Sequence, residues 1–478
     1  MKFGDDIEPI RYVGTALSHF QSDPIAYGKD GIALPPTTDW ELELRKNLQG
    51  KPSGIRGQQN IEEMPRFLEN KELYIKRSKE LGQNMFAFSF EFGRLCPEAG
   101  VWNEDLMAEY IKTLALIRKY GQEPLVTLHH FTNPKFLTVI DMEGKIIKGA
   151  WEHPDILLHF EFYIKNVIAS LKDEKKMREI FNSEGYDKAF QDKLIGEGLL
   201  RYFITFNEPS IVALLGYVNG HFPPFKKWAF PTAHRTIKTM VKCHDIALRE
   251  IRTLDEHMPP SKKTQVGVGY TWQYFDGFLG PVIQKINQYY TSIFERDGSH
   301  SDFIGVHYYF RQSSIFLNRR TKNRDYGDQP MFGDIYPQGI RDILKKMNGI
   351  YPTKDIFVSE IGFADSKGAR RPFWLAETIK HVIEAREEGL PIRAILMWTL
   401  ADNLEWDLGM NIANFGLFRE RQLLVPLAPE TDRIHSWEIW QKAIASLRHP
   451  SPEALAELEE YYERAKNRYY EEINLRAP

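Results

Sequence analysis

Residues 201–210 read RYFITFNEPS, and residues 355–365 read DIFVSEIGFAD. Each stretch begins with the β-branched and aromatic residues of a buried strand and breaks into turn-forming residues just after a glutamate. The two glutamates are Glu208 and Glu360. A carboxylate that ends a strand of a parallel barrel points into the face where barrel enzymes carry out their chemistry. The pair therefore predicts both a parallel sheet and a place for a functional site.

Runs of the same character recur along the whole chain. The eight runs are Arg11–Leu17, Asn84–Phe90, Glu123–Phe131, Arg201–Pro209, Thr264–Trp272, Asp302–Phe310, Asp355–Phe363 and Ile392–Leu400. Several, such as FIGVHYYF and AILMWTL, are almost continuously apolar, which is typical of parallel strands covered on both faces. Helix-like amphipathic stretches alternate with them at Asn103–Tyr120, Pro154–Leu171, Thr232–Leu254 and Pro372–Glu388. This alternation predicts an α/β fold, a closed (β/α)8 TIM barrel.

A doubly wound open sheet is the alternative to the barrel. That fold would need a Gly-rich turn after an early strand. The first run is instead followed by SHFQSD, and no GxGxxG follows any run. The sequence therefore favours the barrel.

The domain organisation follows from the lack of a Pro/Gly/Ser-rich linker or an internal repeat. We predict one barrel domain over residues 1–450, in which the polar residues 172–200 form a helical insertion on the exterior. Residues 451–478 are expected to form a C-terminal helical extension, because Ser451 suits a cap and Pro452 suits a first turn. One face of that helix carries Leu455, Leu458, Tyr462, Ala465 and Tyr469. This face is expected to pack on the barrel, with a partner helix as the alternative.

Composition argues against several classes of protein. The 478 residues carry a net charge of −3, so no broad basic surface for nucleic acid is expected. Cys96 and Cys243 are the only cysteines, which fits a reducing cytoplasm, although a secreted protein without disulfides stays open. The N-terminal MKFGDDIEPIRYVG shows no secretory signal, and no run approaches the roughly 18 apolar residues of a membrane helix. We expect a cytoplasmic protein with no nucleic-acid or membrane partner, and a homo-oligomer is compatible with the sequence.

Enzymes that cleave glycosidic bonds use a pair of carboxylates, and the two strand ends supply such a pair here. The reaction needs an acid with a raised pKa to protonate the leaving oxygen, and Glu208 in TFNEP is the candidate. Glu360 in VSEIG could attack the anomeric carbon as an ionised carboxylate, and Asn207 could bind a neighbouring sugar hydroxyl. A lone glutamate is usually a solvated surface charge, but one that follows an apolar run would otherwise be buried without a partner.

Other polar and aromatic residues at run ends are suited to bind a sugar. Trp398 ends the last run, and Glu405 and Trp406 follow it. An indole offers a flat face to sugar C–H groups, and a carboxylate accepts hydrogen bonds from hydroxyls; core packing is the alternative for both tryptophans. Gln21 and His130 close the first and third runs and could bind hydroxyls, although a histidine in such a run is more often part of the core.

No metal or cofactor is predicted. His129 and His130 are adjacent strand residues that point to opposite faces, so they do not easily share an ion. The spacings HExxH, CxxC, GxSxG and the P-loop do not occur. Tyr308 and Tyr309 close the sixth run, where one could steady the nucleophile through its hydroxyl while the other packs.

Together these motifs resemble glycoside hydrolase family 1, the β-glucosidase and β-galactosidase family, and especially its archaeal β-glycosidase branch. The resemblance runs from about Tyr12 to Leu447, with six motifs in the family's order on separate strands. ITFNEP resembles the family's acid/base motif and VSEIG stands at its nucleophile motif, which implies those roles for Glu208 and Glu360. The other motifs are GTALSHFQSD, VTLHHFTNP, DFIGVHYY and WTLADNLEW. They imply site roles for Gln21, His130, Tyr309, Trp398, Glu405 and Trp406.

The chain departs from the family at four positions. Ala87 stands at the second-strand arginine that contacts the nucleophile, Ile361 at the asparagine after the nucleophile, His307 at the sixth-strand asparagine, and Phe131 at the tryptophan after His130. An opposite charge lowers the pKa of a carboxylate. Loss of the arginine therefore predicts a raised pKa for Glu360, unless another cation substitutes, for which His307 is the candidate. Altered pH dependence or low activity is expected.

The resemblance implies hydrolysis of β-linked glucosides, galactosides or fucosides with retention, through a covalent intermediate on Glu360. For retention the carboxyl groups should lie about 5–5.5 Å apart, whereas inversion needs about 6.5–9.5 Å. Two alternatives stay open. A phospho-β-glycosidase would hold its phosphate with a Ser/Lys/Tyr cluster after the last strand, where this chain reads GMNIANFGLF. A weakly active or non-catalytic sugar-binding barrel is suggested by Ala87 and Ile361.

Overall fold

The computed structural model describes residues 8–28, 30–256, 258–276, 280–295, 301–313, 335–365, 368, 370–410, 412–428 and 434–474. Within these ranges, eight parallel strands close into a barrel. They are β1 (Tyr12–Ala16), β2 (Met85–Ser89), β3 (Glu123–Thr127), β4 (Tyr202–Asn207), β5 (Gln265–Thr271), β6 (Phe303–Tyr308), β7 (Asp355–Ile361) and β8 (Ile392–Trp398). Each strand lies inside one of the eight predicted runs, so the predicted TIM barrel is confirmed.

The strands follow one another around the barrel in chain order. β8 closes the ring by pairing with β1, from Tyr12 opposite Ala394 to Ala16 opposite Trp398. Because every neighbouring pair is parallel, all the carboxyl ends open at one face. Residues that end different strands are therefore brought together at that face.

Side chains fill the barrel at the opposite end, where the strands begin. The hydroxyls of Tyr12 and Tyr202 lie 3.1 Å apart. The rings of Phe303 and Phe357 stack with their centroids 4.1 Å apart. All four residues are buried. This end is a packed core, so the carboxyl face is the one left for a ligand in a barrel of this kind.

Helices surround the barrel. They are α1 (His19–Ser22), α2 (Asp39–Leu48), α3 (Phe67–Glu80), α4 (Phe92–Leu95), α5 (Glu104–Lys119), α6 (Ile156–Lys172), α7 (Glu174–Ser183), α8 (Lys188–Glu197), α9 (Pro209–Tyr217), α10 (Phe230–Arg252), α11 (Gly280–Phe294), α12 (Gly339–Ile350), α13 (Arg371–Glu387), α14 (Ser436–Arg448) and α15 (Pro452–Asn474). The four helices predicted from amphipathic stretches are α5, α6, α10 and α13, each within two residues at either end.

Shorter elements lie in the connections. The strands Val139–Ile140 and Ile146–Lys148 pair antiparallel, and Tyr274–Asp276 pairs parallel with Arg311–Ser313. Single-turn 3-10 helices occupy Ile61–Glu63, Lys135–Leu137, Ala150–Glu152, Thr253–Asp255, Pro260–Lys262, Trp406–Leu408 and Glu420–Leu424. These segments shape the loops at the barrel ends without changing its topology.

The predicted insertion at residues 172–200 contains the two helices α7 and α8. α15 lies against α13, where the ring of Tyr469 stacks on Phe373 with centroids 4.5 Å apart. Leu458 and Ala465 on the same face of α15 are buried. The division of the chain into a barrel domain and a C-terminal extension stays a prediction.

The two cysteines are structural. Cys96 and Cys243 are both buried and free. Burial raises the pKa of the Cys96 thiol to about 12, which keeps it protonated and unreactive. In the described part of the chain, every helix is too short or too polar to cross a lipid bilayer.

Candidate active site

The two glutamates lie at the carboxyl ends of β4 and β7. Glu208 follows β4 directly, and its backbone is left-handed, with φ 43°, before Pro209 begins α9. Its N–H donates to the carbonyl of Gly269 on β5 over 2.8 Å. Glu360 is the sixth residue of β7 and only 6% exposed. A left-handed glutamate is strained, so the surrounding structure must hold Glu208 in this conformation.

His307 on β6 lies between the two carboxylates. Its Nδ1 is 2.9 Å from Oε1 of Glu208 and 3.4 Å from Oε2 of Glu360. Nδ1 and one oxygen of each carboxylate all lie within 4.8 Å of one another. The imidazole is fully buried. A single N–H of the histidine therefore faces both acids, in a cluster whose atoms are also close enough to surround a divalent cation.

A glycine on the neighbouring strand makes room for this imidazole. A Cβ at Gly269 would lie 2.8 Å from Nε2 and 3.0 Å from Cε1 of His307. The described residues offer Nε2 no hydrogen-bond partner. The ring is therefore held between an uncharged backbone on one side and the two acids on the other.

The charges of this cluster shift the pKa values of its members. Burial raises the pKa of Glu360 to about 7, and the charge of Glu208 adds to the effect, while His307 and the hydroxyl of Tyr309 oppose it. Burial lowers the pKa of His307, but Glu360 and Glu208 outweigh it, so this pKa lies above its ordinary value. His307 and Glu360 therefore each favour the charged form of the other, although burial leaves the pKa of Glu360 at about 7.

The two tyrosines that close the sixth run have different environments. The hydroxyl of Tyr309 donates to Oε2 of Glu360 over 2.5 Å. Tyr308 is fully buried, and its hydroxyl donates to the carbonyl of Tyr336. Tyr309 is therefore the one placed to steady Glu360, and Tyr308 is the one that packs.

Within the described ranges, no arginine takes the place of the one that the resemblance to the family predicts on the second strand. Ala87 is 4% exposed and brings no charge to the site. An N–H of Arg94 donates to the carbonyl of Asp23 over 2.7 Å, and its guanidinium lies 3.6 Å from Glu41. Among the described residues, His307 is the only basic side chain in ion-pair contact with either glutamate of the pair. The candidate cation is thus in place, yet burial still keeps the pKa of Glu360 high.

Gln21 and Glu405 form one polar end of the site. The amide of Gln21 donates to Oε2 of Glu405 over 3.1 Å and to the carbonyl of Leu404 over 2.9 Å. Burial raises the pKa of Glu405 to about 8, with Asp407 and Glu360 adding to the effect. Oε1 of Gln21 is buried and has no partner among the described residues. A ligand hydroxyl could donate to that oxygen.

His130 lies next to Trp398 and Trp406, the two tryptophans predicted to belong to the site. Its ring stacks with Trp398 and Trp406, with centroid separations of 5.6 Å and 5.9 Å. Nε2 of His130 lies 3.2 Å from the amide nitrogen of Asn207. Burial lowers the pKa of His130, and the nearby charge of His307 lowers it further, so the imidazole is neutral at pH 7. The three stacked rings therefore pack against one another and also form part of the wall of the site.

A cleft of about 1230 Å³ joins these groups. Its wall includes Glu208, Glu360, His130, Asn207, Tyr309, Trp398, Glu405 and Trp406. Gln21 and His307, also predicted from the sequence, are not on this wall but hydrogen-bond to groups that are. The structure therefore brings all the predicted site residues into one connected group.

Some residues of the site were not predicted. Oε1 of Gln273 accepts the N–H groups of Tyr309 over 3.3 Å and Phe310 over 3.1 Å, which fixes the chain after β6. Gln273 follows the fifth run in TWQYF just as Gln21 follows the first, so the same reasoning could have found it. The outer wall of the cleft is built by α9 and α11, and no polar residue at a run end marked it in the sequence.

The family profile described as Glycosyl hydrolase family 1 matches residues 56–196 and 283–420, more than half of the chain. The chain therefore belongs to glycosyl hydrolase family 1, and it is a glycoside hydrolase. The family predicted from the motifs is confirmed.

The relatives differ in the substrates that their names give. Beta-glucosidase A of Thermotoga maritima is 24% identical over 455 residues, which cover 85% of this chain and 90% of that protein. A 6-phospho-beta-galactosidase of Clostridium acetobutylicum is 24% identical over 415 residues, which cover 72% of this chain and 80% of that protein. The beta-glycosidase from Thermosphaera aggregans superposes with a TM-score of 0.72 at 21% identity, covering 97% of this chain and 99% of the other. That similarity supports the fold.

Proposed function

We propose that this protein is a retaining β-glycosidase that acts on unphosphorylated glycosides through Glu360 and Glu208. The observation that carries the proposal is the separation of the two carboxylates, which have oxygens within 4.8 Å of each other across the strand ends. An inverting enzyme would need about 6.5–9.5 Å between its carboxyl groups to admit a water molecule. Single oxygens this close leave little room for such a water molecule, which supports direct attack by one of the carboxylates.

In the first step, an oxygen of Glu360 forms a bond to the anomeric carbon as the bond from that carbon to the aglycone oxygen breaks. Glu208 gives its proton to the departing oxygen, so the aglycone leaves as a neutral alcohol. In the second step, Glu208 removes a proton from water, whose oxygen displaces Glu360 from the anomeric carbon. Two displacements restore the original β configuration.

His307 contacts Glu208 over 2.9 Å, and it also supports Glu360 as the ionised nucleophile. Its protonated imidazole lies 3.4 Å from Glu360 and stabilises the ionised nucleophile that burial disfavours. The hydroxyl of Tyr309 donates to the same carboxylate. We propose that His307 takes over the role of the arginine replaced by Ala87, while Tyr309 keeps the contact that the family motif implies.

The glycone is proposed to bind between Gln21 and Glu405 on one side and Trp398 on the other. The unpartnered oxygen of Gln21 and the carboxylate of Glu405 suit hydroxyl donors. A phosphorylated glycone would need cationic or hydroxyl side chains after the last strand, where the segment GMNIANFGLF offers no lysine or serine. The phospho-β-glycosidase alternative is therefore disfavoured even though one relative carries that name.

A panel of 4-nitrophenyl β-glycosides tests the proposal, with the glucoside, galactoside, fucoside and 6-phosphogalactoside compared under the same conditions. We expect turnover of at least one unphosphorylated substrate, and NMR of the first product formed should show the β anomer. Glu360→Gln should abolish turnover, and Glu208→Gln should slow poor leaving groups most. Preference for the phosphorylated sugar would favour the phospho-β-glycosidase. Sugar binding without any turnover would favour the non-catalytic barrel.

A further inference from the structure

We propose that Gln273 is a positioning residue for the reaction, whose side-chain amide holds the backbone of Tyr309 so that the tyrosine hydroxyl meets Glu360. The inference rests on the proposed function, because this contact affects the rate only if Glu360 acts as the nucleophile. Gln273 lies outside the six motifs that carry the resemblance to the family. The role assigned to it is exerted through Tyr309.

The amide of Gln273 is buried and bonded at both of its ends. The residue is 6% exposed and lies on the wall of the cleft. Its Oε1 accepts the N–H groups of Tyr309 over 3.3 Å and Phe310 over 3.1 Å. Its Nε2 donates to the hydroxyl of Thr271 over 3.0 Å. A flipped amide would point its own donors at two backbone donors, so these contacts fix its orientation.

The two chain segments that Gln273 joins are out of step by one residue. Thr271 on β5 lies opposite His307 on β6, and beyond them Tyr274 lies opposite Arg311. Residues 272–273 separate these pairs on one side and residues 308–310 on the other, which is the difference that defines a β-bulge. A bulge takes backbone groups out of the regular ladder, and buried ones need another partner. The side-chain oxygen of Gln273 is that partner for two N–H groups of the longer segment.

The position of the Tyr309 hydroxyl depends on this backbone. The hydroxyl donates to Oε2 of Glu360 over 2.5 Å. The ring meets Phe415 edge-on with centroids 5.6 Å apart, and a Cβ at Gly362 would lie 2.8 Å from its Cε1. These contacts confine the ring, whereas the bonds to Gln273 fix the backbone from which it extends. Hydrogen bonds weaken steeply as their geometry departs from the ideal, and a misplacement of about 1 Å can cost on the order of 100-fold in rate.

A positioning role and a purely structural role for Gln273 predict different results. Loss of a packed amide lowers stability in any background, but loss of a positioning contact lowers the rate only while Tyr309 keeps its hydroxyl. Gln273→Met keeps the length of the side chain and removes its acceptor and donor. We expect kcat/KM to fall by roughly 5- to 30-fold, because the displaced hydroxyl keeps part of its hydrogen bond. In the Tyr309→Phe background the same substitution should cost less than about twofold.

The experiment is a double-mutant cycle of Gln273→Met and Tyr309→Phe. For each of the four proteins, kcat/KM is measured with the 2,4-dinitrophenyl β-glycoside that the wild type prefers, together with Tm. Thr271→Val is a second variant for the same cycle, because it removes the hydroxyl that orients the amide without touching the backbone contacts. It should cost roughly threefold, again only while Tyr309 is present, and it keeps the test available if Gln273→Met does not fold.

Gln122→Met is the matched control. Gln122 is also buried, at 2% exposed, and its amide donates to the carbonyl of Ile75 over 2.9 Å, away from the cleft wall. This variant should lower Tm and leave kcat/KM within about twofold of the wild type. A crystal structure of Gln273→Met gives a readout that does not need turnover. The distance from the Tyr309 hydroxyl to Glu360 should exceed about 3.5 Å, which is too long for a hydrogen bond.

The outcomes separate this inference from the proposed function. A loss in Gln273→Met that disappears in the Tyr309→Phe background, with a lengthened distance to Glu360, supports the positioning role. Equal losses in both backgrounds, or an unchanged rate and distance, overturn that role and leave the β-glycosidase proposal standing. Absence of turnover by the wild type overturns the β-glycosidase proposal, and the crystal structure of Gln273→Met then still decides whether Gln273 places the hydroxyl.

Discussion

Replacing His307 with asparagine, the residue that the family carries at this position, removes the imidazole that faces both glutamates. Nδ1 lies 3.4 Å from Glu360. An opposite charge at such a distance lowers the pKa of a carboxyl group by about 1–3. Its loss should raise the pKa of Glu360 by a similar amount above the value of about 7 that the wild-type site imposes.

The effect on the rate follows from the ionised fraction of Glu360. With a pKa of about 7, half of these carboxyl groups are ionised at pH 7. An increase of about 1–3 leaves roughly one-tenth to one-thousandth ionised, so kcat/KM at pH 7 should fall by about fivefold to several-hundredfold. The asparagine amide is itself a donor, which should keep the loss toward the lower end. The rate should recover above the new pKa.

The assay is the pH dependence of kcat/KM from pH 5 to 10 with 2,4-dinitrophenyl β-glucoside, whose leaving group needs no protonation by Glu208. The acidic limb should move to higher pH in His307→Asn, and Ala87→Arg in the same background should move it back. His244→Asn is the matched control, because that buried imidazole lies 2.7 Å from the hydroxyl of Thr205 rather than from an acid. A His307→Asn limb identical to that of the wild type would refute the role of the imidazole.

Three further predictions concern other contacts. Tyr309→Phe removes a hydrogen bond to Glu360 that, for a charged partner, is worth about 1.5–3 kcal/mol, so kcat/KM should fall roughly 10- to 150-fold; a change below threefold would contradict this. Burial raises the pKa of Glu91 to about 7 from 4.5, so its stabilising contribution is complete below pH 4.5 and lost as pH rises through 7. In the wild type, Glu91 should lower the unfolding free energy by about 3 kcal/mol between pH 4.5 and 8, measured with urea, and Glu91→Gln should lack that decrease. A variant with the pH profile of the wild type would count against this role of Glu91. Leu458→Ala on α15 should cost about 2–5 kcal/mol in the same measurement if the extension is part of the folded unit, and a loss near zero would place it outside.

The barrel and the positions of Glu208 and Glu360 could be predicted because strands that are buried on both faces have continuous apolar runs as their sequences. RYFITFNEPS and DIFVSEIGFAD each end an apolar run at a glutamate, and parallel strands bring their carboxyl ends to one face. The same reasoning grouped Gln21, His130 and Trp398 with them. These residues are neighbours because each lies at or just after the carboxyl end of a strand in the same barrel. The order of the apolar runs was enough to predict that barrel.

The rest depended on contacts that a linear pattern does not contain. His307 could be named as a candidate cation, but its position between both acids depends on the missing Cβ of Gly269 on another strand. The spacing of Val282, Ile286 and Tyr289 on α11 is the same whether a helix faces the core or a cleft. Only the packing of the neighbouring elements decides between them. The left-handed backbone at Glu208 likewise arises from the turn between β4 and α9.

The most direct test of the account is trapping with a 2-deoxy-2-fluoro β-glycoside that carries a good leaving group, followed by mass spectrometry of the digested protein. The account predicts a stable glycosyl ester on Glu360, formed with loss of activity, and recovery of activity as the ester slowly hydrolyses. A label on Glu208 or on another residue, or full activity loss without any adduct, would contradict the assignment of Glu360 as the nucleophile.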